Sequence, residues 1–404
     1  MIKRVKDVVS DIGSGTTPKS GEPKYYDNAV IPWLNSGDLN NAMVTSTAKS
    51  ISDKALEDYS ALRFYPKGSV VVAMYGASIG KTGILDFQTT VNQACCVLTP
   101  DKTKITSYYL HLLLQLSKEK FLLESFGGTQ PNISQKVVAN LLIDVPPLFQ
   151  QEEIAAYLGR ECEKIGRQIA LLERKADAYS RLRRSIINRA VTRGLNPNAP
   201  LNPSGLRWNT HIPIHWNVGR IRNYFNFRNE KVSEIDFAPL SVTKNGVVPQ
   251  MENVAKSMAE GDTRKKVCKD DFVVNSRSDR KGSCGTSPMD GSVSLIYIVL
   301  EPTNIDPKFA DYYFRCNDWV EEFYRNGKGI VADLWTTNYS IMRNIEIALP
   351  PYSEQREIAA YLDDKCGKID AIIEKIGTQI ERLKELKRSL INEVVTGKRA
   401  INII

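Results

Sequence analysis

The most suggestive spacing in the chain lies in residues 69–82, where an apolar run ends in glycines and the pair Lys81-Thr82. Phosphate-binding loops place a strand, several glycines, a lysine and a hydroxyl in this order. Here, however, Tyr75 occupies the position of the first glycine, and the residues after Thr82 do not open a helix that could hold a phosphate. We therefore do not expect nucleotide hydrolysis. A turn with a solvated lysine and a loop that contacts phosphate both remain open.

Two other segments imitate functional signatures but lack the side chains that do the chemistry. Leu-Pro-Pro-Tyr at 349–352 is close to the [Asn/Asp/Ser]-Pro-Pro-[Tyr/Phe] signature of amino-methyltransferases, but leucine cannot accept a hydrogen bond from a target amino group. Gly-Ser-Gly at 13–15 lacks the third glycine and the preceding strand of a dinucleotide fingerprint. Carboxylates with nuclease spacing are also missing, so the sequence offers no convincing active site.

Metal ligands are scarce in this sequence. The 404 residues include three histidines and seven cysteines, without a Cys-x-x-Cys pair, and we therefore expect no metal site. The odd number of cysteines and the adjacent Cys95-Cys96 suit reduced thiols better than a disulfide framework.

Charge and hydropathy narrow the class of protein. No apolar run approaches the ~18 residues that a membrane helix needs, and the first seven residues carry charges where an export signal would be apolar. We expect a cytoplasmic globular protein. The net charge of +8 favours an acidic partner such as nucleic acid, although only weakly because it is spread over 404 residues.

An internal repeat is the strongest feature of the sequence. Shifting the chain by 204 residues superposes about fifty residues without a gap, including Glu-Ile-Ala-Ala-Tyr-Leu at 153–158 and again at 357–362. A Pro-Pro pair precedes each copy, at 146–147 and 350–351, and suits a strand end followed by a helix start.

Each copy has the apolar period of one long helix, with steps of three and four residues as in a coiled-coil seam. Roughly 40 helical residues at ~1.5 Å each would span ~60 Å, which fits a spacer better than a core helix. The two matched seams are expected to pair with each other. The seam residues are Ile154, Leu158, Ile165, Ile169 and Leu172 in the first copy and Ile358, Leu362, Ile369, Ile373 and Ile376 in the second.

The remaining sequence has short apolar runs between Gly, Pro, Asn and Asp, a pattern typical of two β-rich domains. We predict an α+β protein with domains at 1–145 and 200–349, a long helix and linker at 146–199, and a second long helix at 350–404. The two domains also correspond loosely. Residues 65–72 resemble 267–274, residues 107–110 resemble 310–313, and residues 127–134 occupy the place of 329–336.

The linker after the first helix, at residues 193–205, is rich in turn formers. Because the ends of a domain usually lie close together, the second domain should begin near the end of the first helix and end near the start of the second helix. The helices should then pair antiparallel. This predicts a rod with one globular domain at each end, related by a pseudo-twofold axis.

Several motifs together resemble those of the specificity subunit of type I restriction-modification enzymes. They are Ile-Pro-Trp-Leu-Asn-Ser-Gly-Asp-Leu at 31–39, Gly-Ala-Ser-Ile-Gly-Lys at 76–81, Asn-Gln at 92–93 and Val-Pro-Pro-Leu-Phe-Gln-Gln-Glu-Glu-Ile at 145–154. The resemblance covers essentially the whole chain, in the order recognition domain, helix, recognition domain, helix. One departure is the lead-in at 212–216, which the first domain lacks.

The resemblance implies a non-catalytic, DNA-binding subunit. Each recognition domain would read one half of a split, asymmetric double-stranded DNA site. The helix pair would set the gap and dock two methyltransferase subunits, which restriction subunits then join. S-adenosylmethionine, ATP and magnesium would belong to those partners, and this chain would need no cofactor.

Base edges and phosphates are contacted mainly by amide, hydroxyl and basic side chains, and clusters of these mark candidate DNA-reading loops. In the first domain they are Thr16, Thr17, Lys19, Tyr25, Tyr26, Asn35, Ser36, Tyr75, Ser78, Lys81, Thr129, Gln130, Asn132 and Lys136. In the second domain they are Lys244, Asn245, Asn275, Arg277, Ser278, Arg280, Lys281, Lys328, Trp335, Thr336 and Asn338.

Two alternatives from other classes are a coiled-coil scaffold without a DNA role and a stand-alone nucleotide-dependent enzyme. A scaffold would show no sequence-dependent retention of duplex DNA and no steep salt dependence. An enzyme of the second kind would hydrolyse ATP as an isolated chain.

Overall fold

The structure is a computed structural model that describes residues 1–127, 131–250, 261, 263–328 and 336–401. Three predicted DNA contacts, Thr129, Gln130 and Trp335, lie outside these residues. None of the helices in the described part of the chain has the length and apolarity to span a bilayer.

The first half of the chain is a β-rich domain followed by one long helix. Its strands are β1 (Ile2–Arg4), β2 (Val9–Gly13), β3 (Ile31–Leu34), β4 (Ala42–Val44), β5 (Ser50–Ile51), β6 (Val70–Ala73), β7 (Thr82–Leu85), β8 (Thr90–Val91), β9 (Cys95–Pro100) and β10 (Leu142–Asp144). Its helices are α1 (Asp53–Asp58), α2 (Ser107–Leu116), α3 (Lys118–Leu123), α4 (Gln135–Asn140) and α5 (Leu148–Arg193).

A five-stranded sheet in the order β2-β9-β6-β7-β4 organises this domain, with a three-stranded sheet β5-β3-β8 and the pair β1-β10 beside it. The residues after the glycine-rich loop form strand β7, which pairs antiparallel with β6, and do not form a helix. The geometry of residues 69–82 is therefore that of a strand-to-strand connection, unlike the strand-to-helix turn of a nucleotide-hydrolysing loop.

The second half repeats this pattern with a longer lead-in. Its strands are β11 (Leu201–Pro203), β12 (His211–Pro213), β13 (Asn217–Arg220), β14 (Phe225–Arg228), β15 (Lys231–Val232), β16 (Leu240–Thr243), β17 (Gly246–Pro249), β18 (Arg264–Val267), β19 (Phe272–Asn275), β20 (Cys284–Thr286), β21 (Gly291–Ser294), β22 (Tyr297–Pro302) and β23 (Glu346–Leu349). Its helices are α6 (Pro307–Arg315), α7 (Asn317–Arg325), α8 (Tyr339–Met342) and α9 (Tyr352–Val395).

The central sheet of the second domain has the order β14-β22-β19-β20, which matches β2-β9-β6-β7 of the first domain. A three-stranded sheet β15-β18-β21 and the hairpin β16-β17 complete it. In both halves a strand ends just before the double proline and a long helix begins just after it, as the sequence predicts.

The chain divides into two compact units that share the long helices. Unit 1 comprises Met1–Leu171 and Gln379–Ile404, and unit 2 comprises Leu172–Thr378. In unit 1, Leu158 near the start of α5 belongs to the same hydrophobic cluster as Val394 at the end of α9. In unit 2, Val191 near the end of α5 clusters with Ile358 near the start of α9. Within each unit the two helices therefore run antiparallel, and the predicted α+β fold with a paired long helix is confirmed.

The predicted seam residues lie on the buried side of the long helices α5 and α9. Leu158, Ile165, Ile358, Leu362, Ile369 and Ile376 are buried, and Ile154, Ile169, Leu172 and Ile373 are partly buried. Apolar burial of this kind, more than helix propensity, stabilises long helices in water. In unit 2 an ion pair adds to the apolar contacts, with Arg183 Nε of α5 lying 2.9 Å from Asp370 Oδ1 of α9.

Two glutamines that the repeat superposes fix the start of each long helix. Gln151 Oε1 accepts a hydrogen bond from the Thr106 N–H at 2.9 Å, and Gln355 Oε1 accepts one from the Asp306 N–H at 2.8 Å. Thr106 and Asp306 are the N-caps of α2 and α6. Helices α2 and α6 therefore begin at equivalent points of the two domains.

This equivalence corrects one sequence match. Pairing residues 107–110 with 310–313 differs by three residues from the alignment that the caps impose. The two tyrosines in each segment suggested the wrong register, because the apolar faces of the helices tolerate a shift of almost one turn.

Candidate nucleic-acid interface

In unit 1 three loops meet at the end of strand β6. The Met74 N–H donates to the Ala94 carbonyl at 2.8 Å, and the Met74 carbonyl accepts from the Ile133 N–H at 2.9 Å. One residue further on, the Gly76 N–H donates to the Pro131 carbonyl at 2.8 Å. Backbone hydrogen bonds thus hold the glycine-rich loop, the Asn-Gln segment and the segment before α4 together.

Side-chain amides extend this junction to the loop after β3. Asn92 Nδ2 donates to Asn35 Oδ1 at 3.0 Å, and Asn35 Nδ2 donates to the Trp33 carbonyl at 3.0 Å. Thr17 Oγ1 donates to Gln93 Oε1 at 2.5 Å. Thr16 belongs to the same junction, because its carbonyl accepts from Trp33 Nε1 at 3.3 Å. Asn35 therefore joins its own loop to the Asn-Gln segment through Oδ1, while Nδ2 fixes its side chain to the end of β3.

The side chains left at the surface of this junction are polar or aromatic. Tyr75 is 44% exposed and pairs through its backbone with Asn132. Ser78 lies in the 3-10 turn Gly76–Ser78, and Lys81 follows it half-buried. We call the surface formed by Thr17, Tyr75, Ser78, Lys81 and Asn132 the loop face of unit 1. Half-exposed Ser36 and exposed Lys136 lie on neighbouring segments, in the turn Ser36–Asp38 and in α4.

Three predicted contacts lie on the segment that follows Thr17. Lys19 pairs with Glu22, and the Tyr26 hydroxyl donates to the Pro18 carbonyl at 2.6 Å. Tyr25 is only 7% exposed and belongs to a small hydrophobic cluster, where its hydroxyl donates to Asp58 at 3.1 Å. The assignment of Tyr25 to a DNA-reading loop is thus corrected, because its ring is part of a core.

Unit 2 repeats the junction at the end of strand β19. Backbone bridges join Arg277 to Thr336 and Lys328 to Thr336, as they join Tyr75 and Phe126 to Asn132 in unit 1. These bridges bring the predicted Arg277, Lys328 and Thr336 together.

The turn that follows is also repeated. Ser278 and Arg280 belong to the 3-10 turn Ser278–Arg280. Gly282 closes the loop with a φ of +79°, as Gly80 does in unit 1 with +76°, a conformation that favours glycine. We call the surface formed by Arg277, Arg280, Lys281, Lys328 and Thr336 the loop face of unit 2.

Carboxylates hold the basic side chains of this loop face. Arg277 makes two parallel hydrogen bonds to Asp279, with Nε to Oδ1 at 3.0 Å and Nη2 to Oδ2 at 3.1 Å. Arg280 Nε lies 3.7 Å from the same carboxylate, and Lys281 pairs with Glu321 at 2.6 Å. Asp279 was not among the predicted residues, although its place between two arginines is a signal for such a pair.

Two predicted residues of unit 2 have structural roles. Asn275 is 4% exposed, and its Oδ1 accepts from the Arg277 N–H at 3.1 Å, so its assignment as a direct DNA contact is corrected. Asn338 is the N-cap of α8 and its Oδ1 accepts from the Ile341 N–H at 3.0 Å. Short polar side chains serve as caps as readily as they serve as ligands, which explains the ambiguity of the sequence.

The hairpin β16-β17 presents the remaining predicted residues. Lys244 and Asn245 are exposed at its turn. Arg315 Nη2 on α6 donates to the Lys244 carbonyl at 3.2 Å, and Gln115 Nε2 on α2 donates to the Asn41 carbonyl at 3.4 Å at the equivalent place in unit 1. A backbone carbonyl contacted by this helix is thus common to both units, although only unit 2 forms a hairpin there.

Tyrosines beneath the loop face of unit 2 support it. The Tyr324 hydroxyl donates to the Asn275 carbonyl at 2.9 Å, and Tyr297 lies 3.5 Å from Asn275 Nδ2. Burial raises the pKa of Tyr297, and the nearby Arg280 partly opposes that rise. The phenols of Tyr297 and Tyr324 therefore remain neutral at physiological pH and support the loop through hydrogen bonds. Sequence reasoning missed them because an isolated tyrosine has no distinctive spacing.

The two loop faces offer hydrogen-bond donors, acceptors and positive charge. In the described part of the chain, no three His, Cys, Asp or Glu side chains gather as metal ligands would. Such surfaces suit contacts to phosphates and base edges.

Comparisons with known proteins agree on one family. Residues 1–175 match the type I restriction modification DNA specificity domain. The MjaX protein of Methanocaldococcus jannaschii, assigned as a type I restriction enzyme specificity subunit, is 24% identical over 98% of this chain and 93% of its own length. The type I restriction enzyme StySPI specificity subunit of Salmonella potsdam is 22% identical over 98% of this chain and 88% of its own length.

A solved chain from work on the complex assembly and conformational transition of the type I R-M system has the same fold. It covers 98% of this chain and 97% of its own length, with a TM-score of 0.71 at 15% identity. This likeness shows the fold of the whole chain, while the match to the type I restriction modification DNA specificity domain covers residues 1–175.

Proposed function

We propose that the chain gives a type I restriction-modification complex its DNA sequence specificity, with each domain reading one half of a split site in double-stranded DNA. The observation that carries this proposal is the repeated junction with different surface side chains. Tyr75 and Asn132 in unit 1 occupy the places of Arg277 and Thr336 in unit 2. One scaffold that presents two sets of polar groups suits two unlike half-sites.

The helix pair completes the proposal. We infer that the chain is itself a non-catalytic specificity subunit. The repeated helices α5 and α9 would set the gap between half-sites and dock two methyltransferase subunits, which restriction subunits join. S-adenosylmethionine, ATP and magnesium would serve those partners, in the cytoplasm. The domain limits inferred from the sequence, at 145 and 349, belong to this proposal.

Methylation mapping tests the proposal directly. The chain is expressed with its methyltransferase partners in a host without other DNA methylation, and modified adenines are mapped across the genome. We expect one asymmetric motif interrupted by a fixed gap. Exchange of one recognition domain for that of a relative should change one half of the motif and leave the other half unchanged. Random methylation, or a change in both halves, would contradict the division of labour.

Arginines of the loop face provide a second test. Arg277→Ala and Arg280→Ala together should weaken cognate DNA binding by the assembled complex at least tenfold, because each removes a cation able to contact a phosphate or a guanine. Lys375→Ala, which removes an exposed cation from α9, is the control. Size-exclusion chromatography should show normal assembly for all variants. Unchanged binding by the double variant would remove this loop from the proposed interface.

A further inference from the structure

A polar groove runs along the last turns of α5 within unit 2. One part is a cleft of about 720 Å³ between α5, the β16-β17 hairpin and helices α6 and α7. A second part, of about 300 Å³, continues along α5 to Trp208 and Asn209. Both parts share Ser185, Asn188 and Asp318 in their linings.

Positive charge dominates the lining of this groove. Its cations are Arg183, Arg184, Arg189, Arg193, Lys244, Lys281 and Arg315, and its carboxylates are Asp311, Asp318 and Glu321. Three of the cations have acidic partners, since Arg183 pairs with Asp370, Lys281 with Glu321 and Arg315 with Asp311.

The other four cations of the groove differ because they lack such acidic partners. Among the described residues, no carboxylate pairs with Arg184, Arg189, Arg193 or Lys244 within 4.0 Å. Arg184, Arg189 and Lys244 are also exposed to solvent. The groove therefore keeps cations available to an anionic ligand on both of its walls.

The floor of the groove contains polar atoms without partners. Asn188 Oδ1 and Trp208 Nε1 are buried and have no hydrogen-bond partner among the described residues. Both atoms are shielded from solvent, so the exposed cations of the groove, and not these two groups, are what a ligand can contact.

The second copy of the repeat keeps only part of this chemistry. The 204-residue shift places Glu393 and Gly397 of the second copy at the positions of Arg189 and Arg193. Glu393 is itself engaged by the Ser389 hydroxyl at 2.7 Å. A partner that binds both copies in the same way cannot depend on these two arginines. The groove therefore fits a ligand that the two halves of the chain contact differently.

The groove also adjoins the loop face of unit 2. Lys281 belongs to the lining of the groove and follows Arg280 directly. An extended polyanion that contacts the loop face can continue into the groove over Lys281. Guanidinium groups bind phosphates through paired N–H donors, so an arginine-lined wall suits a phosphodiester chain.

We propose that this groove binds the phosphate backbone of the duplex beside the half-site read by the second domain, so that α5 contacts DNA itself. This inference rests on the proposed function, because it assumes that the second domain reads DNA. Its contacts add affinity without adding base specificity, since phosphates carry no sequence information.

The test compares the assembled complex with wild-type chain, with Arg184→Ala and Arg189→Ala together, and with Lys244→Ala. Arg388→Ala is the matched control, because Arg388 is the counterpart of Arg184 in the second copy and is equally exposed. Binding of a fluorescent cognate duplex is measured by anisotropy across a range of salt concentrations. Losing two phosphate contacts should reduce the slope of log K against log salt by about 2, and losing one should reduce it by about 1.

The methylated motif of each groove variant should stay the same. Single phosphates beside the second half-site are then replaced by uncharged methylphosphonates. Where the groove contacts a replaced phosphate, binding of the wild type and of the control should weaken. Binding of the double variant should not change at those positions. An unchanged slope with normal assembly would overturn the groove proposal. Loss of assembly in the groove variants would also overturn the groove proposal. It would indicate that the groove binds an acidic surface of a partner protein. If the wild-type complex shows no preference for a cognate duplex, the proposed function itself fails.

Discussion

Gln151 Oε1 accepts the N–H of Thr106 at 2.9 Å, so one buried side chain of α5 fixes the cap of α2. Gln151 Nε2 also donates to the Lys104 carbonyl at 3.0 Å and to the Pro146 carbonyl at 2.8 Å. Gln151→Ala would leave these three backbone groups buried without partners. We expect a loss of about 2–3 kcal/mol in the local stability of this region.

Hydrogen–deuterium exchange of residues 101–116 and 146–158 measures that loss. The neighbouring Gln150 is exposed, so Gln150→Ala is the control and should leave protection unchanged. Gln355→Ala should have the same effect at the start of α9, because Gln355 makes the equivalent bond to Asp306. Equal exchange in Gln151→Ala and Gln150→Ala would show that the glutamine contributes nothing to this junction.

At the proposed interface, Asp279 would compete with DNA for Arg277. The carboxylate makes two hydrogen bonds to the guanidinium and also lies near Arg280. Asp279→Asn keeps the shape but removes the negative charge, so it should raise the affinity for duplex DNA by about threefold to tenfold at low salt. Anisotropy with cognate and scrambled duplexes measures this change. Asp290→Asn, at another exposed loop, is the control. Weaker binding by Asp279→Asn would contradict this prediction and would mean that the carboxylate positions Arg277 for DNA.

His111 makes unit 1 sensitive to acid. Burial lowers the pKa of this imidazole to about 4, below its ordinary value near 6.5. The unfolded chain then binds more protons than the folded chain between these two values, so stability falls as the pH drops through this window. Between pH 7 and pH 5 the loss attributable to His111 is about 2 kcal/mol.

Hydrogen exchange of α2 at both pH values, corrected for intrinsic rates, measures this effect. His111→Gln should remove most of the dependence, and His211→Gln, at an exposed site of unit 2, should not. Persistence of the full dependence in His111→Gln would assign it to other groups.

The buried pair between Arg228 and Asp271 gives a stability prediction for unit 2. Asp271 has a side chain only 2% exposed, and Arg228 Nε lies 2.7 Å from its Oδ2. Burial raises the pKa of Asp271, and Arg228 opposes that rise. Arg228→Met leaves the carboxylate without its counterion and should destabilise unit 2 by about 3 kcal/mol at pH 7, and by less in acid, where the carboxyl protonates.

Urea unfolding followed by tryptophan fluorescence measures the change, because Trp208, Trp216 and Trp319 all lie in unit 2. Glu301→Gln is the control, since Glu301 pairs with the same arginine but is 46% exposed. It should cost less than about 1 kcal/mol. Similar midpoints for all three proteins would show that the buried pair does not stabilise unit 2.

The architecture was largely predictable because the repeat is a local signal. The three- and four-residue steps of Leu158 and Ile165 determine which face of α5 is buried without knowledge of distant contacts. Gln151 and Gln355 were visible as a matched pair, but the backbone groups that they bind lie 45 and 49 residues away. Such contacts depend on tertiary folding, which one sequence does not reveal.

The candidate site was predictable as clusters and less so as single residues. Arg277, Lys328 and Thr336 meet because backbone bridges bring their loops together. Tyr25 and Asn275 have side chains that suit DNA, yet one packs in a hydrophobic cluster and the other holds the backbone of its own loop. Residue type is the same in both environments, so only burial separates a core residue from a contact residue.

The division of the chain at Leu171 and Gln379 has a practical meaning for making hybrids. A crossover at the predicted domain limits would separate Leu158 from the cluster that contains Val138 and Ile143, and Ile358 from the one that contains Ile347. A crossover in the middle of each long helix leaves both clusters whole. Recombination between related genes at these two mid-helix points would therefore create new specificities from parts that already fit.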